Sequence, residues 1–571
     1  MNSAAEHWSL IAAVGVAAIV AVAALARRVG VAAPLVLVVV GIGLSWVPGT
    51  PRVEIDPDLI LTVVLPPILY AAALRMPTVA FRRDAKAIGT LSFLLVAVTT
   101  VAVGYLANAV LPGLGLAGAF ALGAALGPTD AVAATGIGRR LGLPSRLLVI
   151  LEGEGLVNDA SSLVLLRSAV AAVAGAVSLA HVAGDLAYAV VVAVAVGLVV
   201  GHLAVLVRKA LRDAVLITAV SFTVPFIAFL PAESLNASGV LAVVVAGMVG
   251  GHHDPETLRA SDRIAEAINW RTASFLLESG VFLIMGLQLR GLLDQADQAH
   301  AGIPAALGLG ALAALTVLAV RMLIVAPLMV SLAKDAERAE AAKPVLERLR
   351  EQLIGQAAPG RRTQGALSRI ERRSADVDFV VSERLGWRAG IVLGWSGMRG
   401  AITVAAAQSL PADLPLRPQV LLAAFTAALL TLLVPGLSLP AVIRILKVPG
   451  DDPDADRAQV RALLRTLGTA GTQTLDAAAG QDAYPATLIA QVRDDLGARH
   501  GVRRPANDQD FDPVKWREDY LELMLSALAA ERTALIAASR AGTYSTRVLD
   551  RVQNRLDLEE ARLQQIAAPA E

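Results

Sequence analysis

The chain of 571 residues contains no cysteine, few aromatic side chains and almost no excess of charge. The absence of cysteine excludes disulfide bonds and thiolate metal sites. Only 4% of the residues are aromatic, and the formal net charge at pH 7 is +1. A near-neutral chain lacks the basic surface that binds a phosphate backbone, so the composition argues against a nucleic-acid partner.

The residues that are abundant are those of a membrane protein. Hydrophobic residues make up 56% of the chain, the mean hydropathy is +0.61, and there are 47 glycines. Glycine permits close approach between helices in lipid. The first apolar run, Leu10 to Ala26, precedes Arg27 and Arg28, whereas a signal peptide carries its positive charge before the apolar run. We therefore expect an all-α polytopic membrane protein with a first span near residues 9–26.

Division of the chain at charged and at Pro- or Gly-rich breaks predicts about 13 spans of about 20 residues each. Lys and Arg concentrate in the breaks after odd-numbered spans, and the other breaks carry only Arg52, Arg290 and Arg417. The residues in the basic breaks are Arg27, Arg28, Arg82, Arg83, Lys86, Arg139, Arg140, Arg146, Arg208, Lys209, Arg212, Arg259, Arg263 and Arg271. The positive-inside rule then predicts a cell-membrane protein with its N-terminus outside and its C-terminus in the cytoplasm.

Two segments outside the spans are charged and have helical periodicity. We expect a membrane domain over residues 1–447, interrupted between spans 11 and 12 by a cytoplasmic helical loop at 334–384 that breaks near Pro359. A cytoplasmic helical tail follows at 448–571. Its apolar spacing is typical of a regulatory or dimer-forming piece, and a solvated helical hairpin without such a role fits the same pattern.

Two spans carry helix-breaking residues at mid-membrane. The fifth contains the sequence GPTD at residues 127–130, and the twelfth contains Gly394, Gly397 and Gly400 around Arg399. Proline removes a helical donor and glycine weakens the helix, so both helices are expected to be interrupted. With the seventh span as a linker, the two occupy equivalent positions, which indicates inverted repeats of a secondary transporter with an ion site at the midplane. Glycines that serve only helix packing are the alternative.

Several polar or ionisable side chains lie deep in spans, where they are costly and therefore functional candidates. They are Asp130 in the fifth span, Glu154, Asn158 and Asp159 in the sixth, Glu278 in the tenth, Arg321 in the eleventh and Arg399 in the twelfth. The alternative is a set of structural ion pairs between helices, which we favour for Glu154 with Arg321 and for Glu278.

Asp159 lies about 14 residues, or about 21 Å, from the cytoplasmic start of its span, near the bilayer centre. A carboxylate in a medium of low dielectric constant binds a proton more readily than one in water. Hard cations such as Na⁺ prefer oxygen ligands, which Thr129, Asp130, Asn158 and Ser162 offer beside Asp159. We expect Asp159 and Thr129 to bind the transported cation, with one proton released per cation in an electroneutral cycle.

Four segments resemble the sodium/proton exchangers of the monovalent cation:proton antiporter family. They are LPPILYAAAL (65–74), GPTDAVA (127–133), EGEGLVNDASSL (152–163) and GMRGAITVAAA (397–407). The resemblance extends over residues 1 to about 447. It implies an antiporter fold that usually forms a homodimer, in which a core domain moves against a dimerisation domain.

The resemblance also implies roles for single residues. Asp159 would carry the proton and the cation alternately, with Asn158 as its partner and with Thr129 and Asp130 as the part of the site on the crossing helix. An Asn-Asp pair resembles the electroneutral type of exchanger, whereas relatives with Asp-Asp are electrogenic.

Further implied roles are structural. Glu154 and Arg321 would form a stabilising ion pair, and Arg399 would offset the dipoles of the broken twelfth helix. Many relatives place an acid where Ala71 stands and a serine where Gly155 stands. Na⁺/H⁺ exchange without a cofactor is expected, and K⁺/H⁺ exchange by the same fold is the alternative.

Other classes of membrane protein agree less well with the sequence. The sequence from Gly394 to Gly397 matches the GxSG pattern of intramembrane serine proteases, which need a histidine base. The histidines considered for that role lie near span ends or in the tail, at His181, His202, His252, His253 and His500. No HExxH or Walker sequence occurs, so a metalloprotease or an ATP-driven pump has no support, and an intramembrane serine protease is a remote alternative. A cation channel or a membrane sensor remains as a competing class.

Overall fold

The computed structural model describes residues 2–48, 56–174, 179–299, 302–354, 361–480, 484–498 and 513–567, which form helices and connections without a strand. The expected break near Pro359 lies outside these residues. The chain divides into two compact units. The first comprises Met1–Asp254, Glu266–Asp335 and Arg384–Gly450, and the second comprises Pro255–Ala265, Ala336–Glu383 and Asp451–Glu571.

The helices up to residue 234 all belong to the first unit. They are α1 (Asn2–Val29), α2 (Ala33–Ser45), α3 (Pro57–Leu59), α4 (Leu65–Leu74), α5 (Thr78–Arg83), α6 (Ala85–Gly89), α7 (Leu95–Val110), α8 (Gly115–Ala125), α9 (Ala131–Arg140), α10 (Ser145–Ala174), α11 (Leu179–Ala210) and α12 (Ala214–Ser234). Short π-helical segments, Ile60–Val64 and Thr90–Leu94, precede α4 and α7, and a 3₁₀ turn, Pro112–Leu114, precedes α8.

The remaining helices include three that continue from one unit into the other. They are α13 (Gly239–Thr257), α14 (Ala260–Gln298), α15 (Ile303–Ile354), α16 (Arg361–Ser382), α17 (Trp387–Trp395), α18 (Ala401–Gln408), α19 (Arg417–Leu446), α20 (Pro453–Ala479), α21 (Ala486–Ala498), α22 (Pro513–Ala541) and α23 (Thr546–Ala567).

Eight helical stretches in the described residues are long and apolar enough to cross a membrane. They are Pro57–Leu74, Ala85–Val110, Ser145–Val173, Val182–Ala210, Ala214–Ser234, Ala260–Gln298, Ile303–Ile354 and Arg417–Leu446. The interrupted spans are not among them, because each is divided into two short helices. The expected all-α polytopic fold is confirmed, whereas the number of spans and the inverted repeats stay predictions.

The π-helical turn before α4 follows from the two prolines of the third span. Pro66 and Pro67 have no N–H, so the carbonyls of Thr62 and Val63 lack their usual helical donors. The N–H of Leu65 instead bonds Ile60 in the wider π-helical pattern.

Two apolar cores lie within the first unit, and α10 contributes to both. One core packs residues of α7, α8, α15 and α17 to α19 with Ile150 and Leu151 of α10. The other packs α4 and α11 to α13 with Leu156, Val157 and Ala160 of α10. The polar residues of α10 are therefore enclosed between two helix groups.

Two arginines that sequence reasoning assigned to basic loops are buried instead. Arg146 pairs with buried Asp84 through its Nε at 2.9 Å. Arg208 pairs with Asp254 at 3.0 Å and with Glu266. Each guanidinium lies at helix ends and is neutralised by nearby carboxylates. The division of the sequence into spans gives no information on such contacts.

The second unit has its own core, formed by α20 to α23 around Leu467, Val492, Met524 and Val552. Within that core, Tyr520 donates a hydrogen bond of 2.9 Å to Asp495. Burial and this carboxylate raise the pKa of Tyr520 above its ordinary value.

Candidate functional site

Two interrupted helices meet at the centre of the first unit. The chain between α8 and α9 is non-helical at residues 127–130, and the chain between α17 and α18 is non-helical at 397–400. The N–H of Asp130 donates to the carbonyl of Met398 at 2.7 Å and so joins the two breaks. A Cβ on Gly400 would lie 3.0 Å from the Cβ of Asp130, so only glycine allows this approach without displacement.

Arg399 satisfies two carbonyls of the non-helical segment that follows α8. Its Nη1 donates to Gly127 at 2.9 Å and to Pro128 at 3.2 Å, and the residue is only 2% exposed. Thr403 adds a weaker hydrogen bond of 3.4 Å to the Pro128 carbonyl. A positive side chain at a helix C-terminus is favourable, because the helix dipole is negative there.

Asp130 caps the other half of the broken fifth span. Its Oδ1 accepts the N–H of Val132 at 2.8 Å, which places the carboxylate at the positive end of α9. Its Oδ2 is buried and has no hydrogen-bond partner.

The helix α10 passes the crossing and supplies Glu154, Asn158 and Asp159, all of which are buried. Both oxygens of Glu154 bond Arg321, with 2.7 Å from Nη2 to Oε2, and Arg321 Nε donates to Leu393 at 3.1 Å. Arg321 therefore links α15, α10 and the end of α17. Both oxygens of the Glu154 carboxylate are therefore bonded, and the arrangement is that of a structural ion pair.

A chain of hydrogen bonds runs from this ion pair to the crossing. Thr129 donates its hydroxyl proton to Glu154 Oε1 at 3.2 Å, and Asn158 Nδ2 donates to the Thr129 oxygen. The hydrogen bond from Nδ2 orients the Asn158 carboxamide, and its Oδ1 has no hydrogen-bond partner.

Asp159 lies beside these groups without an ion-pair partner of its own. The residue is 1% exposed, and its Oδ1 is buried without a hydrogen-bond partner. It interacts electrostatically with Asp130 and with Arg399. The structure thus brings together three unpartnered acceptor oxygens, from Asp130, Asn158 and Asp159, which is a suitable environment for a proton or a hard cation.

The other predicted site residues lie around this centre. Ser162 is buried and donates its hydroxyl proton to the Ala124 carbonyl at 2.6 Å, so only its lone pairs remain for a ligand. Glu278 is half-buried on α14 and interacts electrostatically with Asp130 and Arg75.

The structure also shows the surroundings of Ala71 and Gly155, the two positions where many relatives carry a side-chain oxygen. Ala71 is buried on α4. A Cβ on Gly155 would lie 3.6 Å from the Thr129 carbonyl and 3.0 Å from Ala131. A serine at position 155 would therefore add a hydroxyl at the edge of the centre.

Sequence reasoning missed Ser92 and Ser161, which link α10 to the π-helical segment before α7. Ser161 donates to the carbonyl of Ser92, and Ser92 donates to the carbonyl of Glu154 at 3.3 Å. Short hydroxyl side chains in a span give no signal of their own, because they are common at helix contacts in membranes.

Comparison with known proteins places the chain in a family. The family model for the transmembrane sodium/hydrogen exchanger matches residues 15–445. An uncharacterised Na⁺/H⁺ exchanger of Mycobacterium tuberculosis H37Rv is 30% identical over 96% of this chain and 95% of its own length. A sodium, potassium, lithium and rubidium/H⁺ antiporter of Bacillus subtilis is 33% identical over 45% of this chain and 39% of its own.

The fold also has a counterpart among solved structures. The sodium proton antiporter MjNhaP1 of Methanocaldococcus jannaschii aligns with a TM-score of 0.54 at 16% identity, over 78% of this chain and 99% of that protein. The chain therefore belongs to the sodium/hydrogen exchanger family of membrane cation:proton antiporters.

Proposed function

We propose that the chain exchanges Na⁺ for H⁺ across the cell membrane, with Asp159 binding either ion in turn. The observation that supports the proposal is the contrast between two buried carboxylates of α10. Glu154 has both oxygens bonded to Arg321, whereas Asp159 Oδ1 has no hydrogen-bond partner. An unpaired carboxylate in a low-dielectric site is unfavourable as a bare anion, so it binds a proton or a cation.

The cation ligands proposed beside Asp159 are the oxygens that the fold leaves unpartnered. Asn158 Oδ1 and Asp130 Oδ2 are buried acceptors without donors. The Thr129 hydroxyl lies between Asn158 and Glu154 and can add a further oxygen. Neutral and charged oxygens together suit a hard monovalent cation.

Electroneutral exchange is part of the proposal, with Asp159 as the one carboxylate that exchanges its proton. Glu154 is paired with Arg321, and Asp130 caps α9. Asp159 alone then exchanges one H⁺ for one cation, so the charge of the site is the same in both states.

Alternating access is proposed as the transport cycle. The broken helices and α10 would move together against the group formed by α4 and α11 to α13. The helix α10 also packs against this group. The distribution of Lys and Arg supports an external N-terminus and a cytoplasmic tail. Assembly as a homodimer rests on the family resemblance.

K⁺ is the second candidate cation. Ala71 and Gly155 provide no side-chain oxygen where many relatives have one. Fewer ligands around the cation favour the ion that is more easily dehydrated, and K⁺ has the weaker hydration of the two.

The test uses purified protein in proteoliposomes with a preset pH gradient, to which Na⁺ and then K⁺ are added. The wild-type chain is expected to collapse the gradient without generating a membrane potential. Asp159→Asn, which keeps the side-chain size but cannot ionise, is expected to abolish exchange. Asp58→Asn, at an exposed position at the start of the third span, is the matched control and should transport normally.

Retention of exchange by folded Asp159→Asn would contradict the proposed carrier. A cation current without proton movement would indicate a channel. Absence of exchange by the folded wild-type protein with both Na⁺ and K⁺ would favour a sensor or a transporter of another substrate.

A further inference from the structure

Two helices that flank the centre meet again beyond it, at the end of α18. The helix α18 begins beside Asp130 and runs about 12 Å to its last residue, Gln408. On α14, Glu278 interacts electrostatically with Asp130, and Gln288 lies about 15 Å further along the helix. Gln408 Nε2 donates to Gln288 Oε1 at 3.2 Å, so this amide pair bridges the two helices beyond the centre.

The amide pair leaves one oxygen unused. Gln288 is 7% exposed, and Gln408 Oε1 is buried without a hydrogen-bond partner. Among the buried carboxamide oxygens of the described residues, only those of Asn158, Gln408 and Gln419 lack a partner. A buried acceptor without a donor is costly, and a ligand at that position would offset the cost.

The main-chain carbonyls at this end of α18 already have hydrogen-bond donors. Arg417 donates to the carbonyl of Gln408 at 2.8 Å and to that of Leu410 at 3.1 Å. The guanidinium thereby satisfies the C-terminus of α18, and the side-chain Oε1 of Gln408 is the acceptor that remains.

We propose that Gln408, held in place by Gln288, is a positioning and specificity residue for the transported cation. Its Oε1 replaces one water ligand of the cation at the membrane face where α18 ends, between the solution and Asp159. The inference rests on the proposed function, because it presupposes that a cation reaches the centre between α14 and α18. A neutral amide suits such a step, since it binds the cation weakly enough to release it.

The test measures the apparent KM for Na⁺ and for K⁺ separately at each face in proteoliposomes of known orientation. The orientation is determined with Glu351→Cys, which gives a single labelled thiol at an exposed position because the native chain has no cysteine. Gln408→Leu removes the oxygen at similar volume, Gln408→Glu keeps an oxygen, and Gln419→Leu is a control at another unpartnered buried carboxamide.

Loss of one favourable oxygen contact of about 1 kcal/mol is expected to raise KM roughly fivefold for Gln408→Leu, only at the face where α18 ends. The KM at the opposite face, the maximal rate and the pH profile at saturating cation should not change. Gln408→Glu should keep KM at or below the wild-type value, and Gln419→Leu should behave as wild type.

An unchanged KM for Gln408→Leu, or an equal change at both faces, would overturn the inference, because a structural defect does not distinguish the faces. If Gln408→Leu does not fold, Gln288→Leu tests the inference instead. This variant removes the hydrogen bond that holds the Gln408 carboxamide, and it is expected to raise KM at the same face only. Absence of exchange in the wild-type chain would contradict the proposed function itself, which separates the two failures.

Discussion

Glu154 and Asp159 are two carboxylates of one helix with different surroundings. Arg321 bonds both oxygens of Glu154, and Thr129 donates to one of them as well. Asp159 receives no such set of donors at Oδ1. Because both residues are fully buried, the presence or absence of a guanidinium determines which of them is fixed and which is available to ions.

The ion pair gives the first stability prediction. Removal of one partner by Glu154→Gln or Arg321→Gln is expected to cost roughly 3 to 5 kcal/mol, because the other charge stays buried and uncompensated. The double variant should cost less than the sum of the single variants. Thermal unfolding of the purified protein in detergent measures all three. Strictly additive losses would show that the two side chains do not stabilise one another.

At the scale of elements, the crossing of the broken helices depends on contacts that only small residues permit. The hydrogen bond from Asp130 to Met398 brings the two non-helical segments together. Arg399 then donates to the carbonyls of Gly127 and Pro128, which follow the C-terminus of α8. The resulting arrangement places helix ends of both signs beside α10.

Substitution of glycine at the crossing should therefore impair transport. In Gly400→Ala the new Cβ would lie 3.0 Å from the Cβ and 3.1 Å from Oδ2 of Asp130, so the carboxylate must move. We expect a loss of at least about tenfold in exchange rate, the effect of roughly 1.4 kcal/mol. Proteoliposome exchange measures it.

Gly136→Ala is the matched control, because a Cβ on Gly136 of α9 meets nothing within 4 Å. Alanine is the better helix former by about 1 kcal/mol, so this variant should be active and slightly more stable. Normal exchange by Gly400→Ala would show that the site tolerates displacement of Asp130.

At the scale of the whole molecule, the second unit includes the short connection between α13 and α14. Arg263 near the start of α14 pairs with Asp557 of α23, and Asp557 also accepts from Arg532 at 3.2 Å. Arg540 of α22 pairs with Glu256. The start of α14 is thus held by the tail, and α14 continues into the first unit with Glu278 and Gln288.

Asp557→Asn should destabilise the second unit. Arg263 and Asp557 are each only 9% exposed in their side chains, so removal of the shared carboxylate leaves buried positive charge and is expected to cost about 3 kcal/mol. Hydrogen exchange of residues 255–265 and of α23 should accelerate together.

Glu559→Gln is the control for this prediction. Glu559 pairs with Arg562 on the surface of the same helix, and such pairs contribute at most about 1 kcal/mol. Equal protection in Asp557→Asn and in the wild type would show that the ion pair does not hold the connection.

Several residues of the proposed centre carry a signal in the sequence itself. Pro128 and the glycines around Arg399 predicted the breaks, and the charges within apolar spans pointed to Glu154, Asp159 and Arg321. These signals are readable because proline, glycine and charge are each unfavourable in a membrane helix and so mark function or special structure.

Other features could not be inferred from the sequence. Arg208 looked like a loop charge, and its burial with Asp254 and Glu266 depends on three helices that meet in space. The Gln288 and Gln408 pair joins residues distant in sequence with no motif between them. The inclusion of residues 255–265 in the second unit follows from ion pairs to α22 and α23.

The sequence by itself determined that this chain spans a membrane, that two helices break at depth, and that a carboxylate lies where no bare charge is stable. Those conclusions follow from transfer free energies and backbone chemistry, which act on each residue locally. Only the tertiary structure decided that Arg321 bonds Glu154 and leaves Asp159 without an ion-pair partner. Pairing of buried charges depends on distances of a few ångströms between different helices, and spacing along the chain does not contain them.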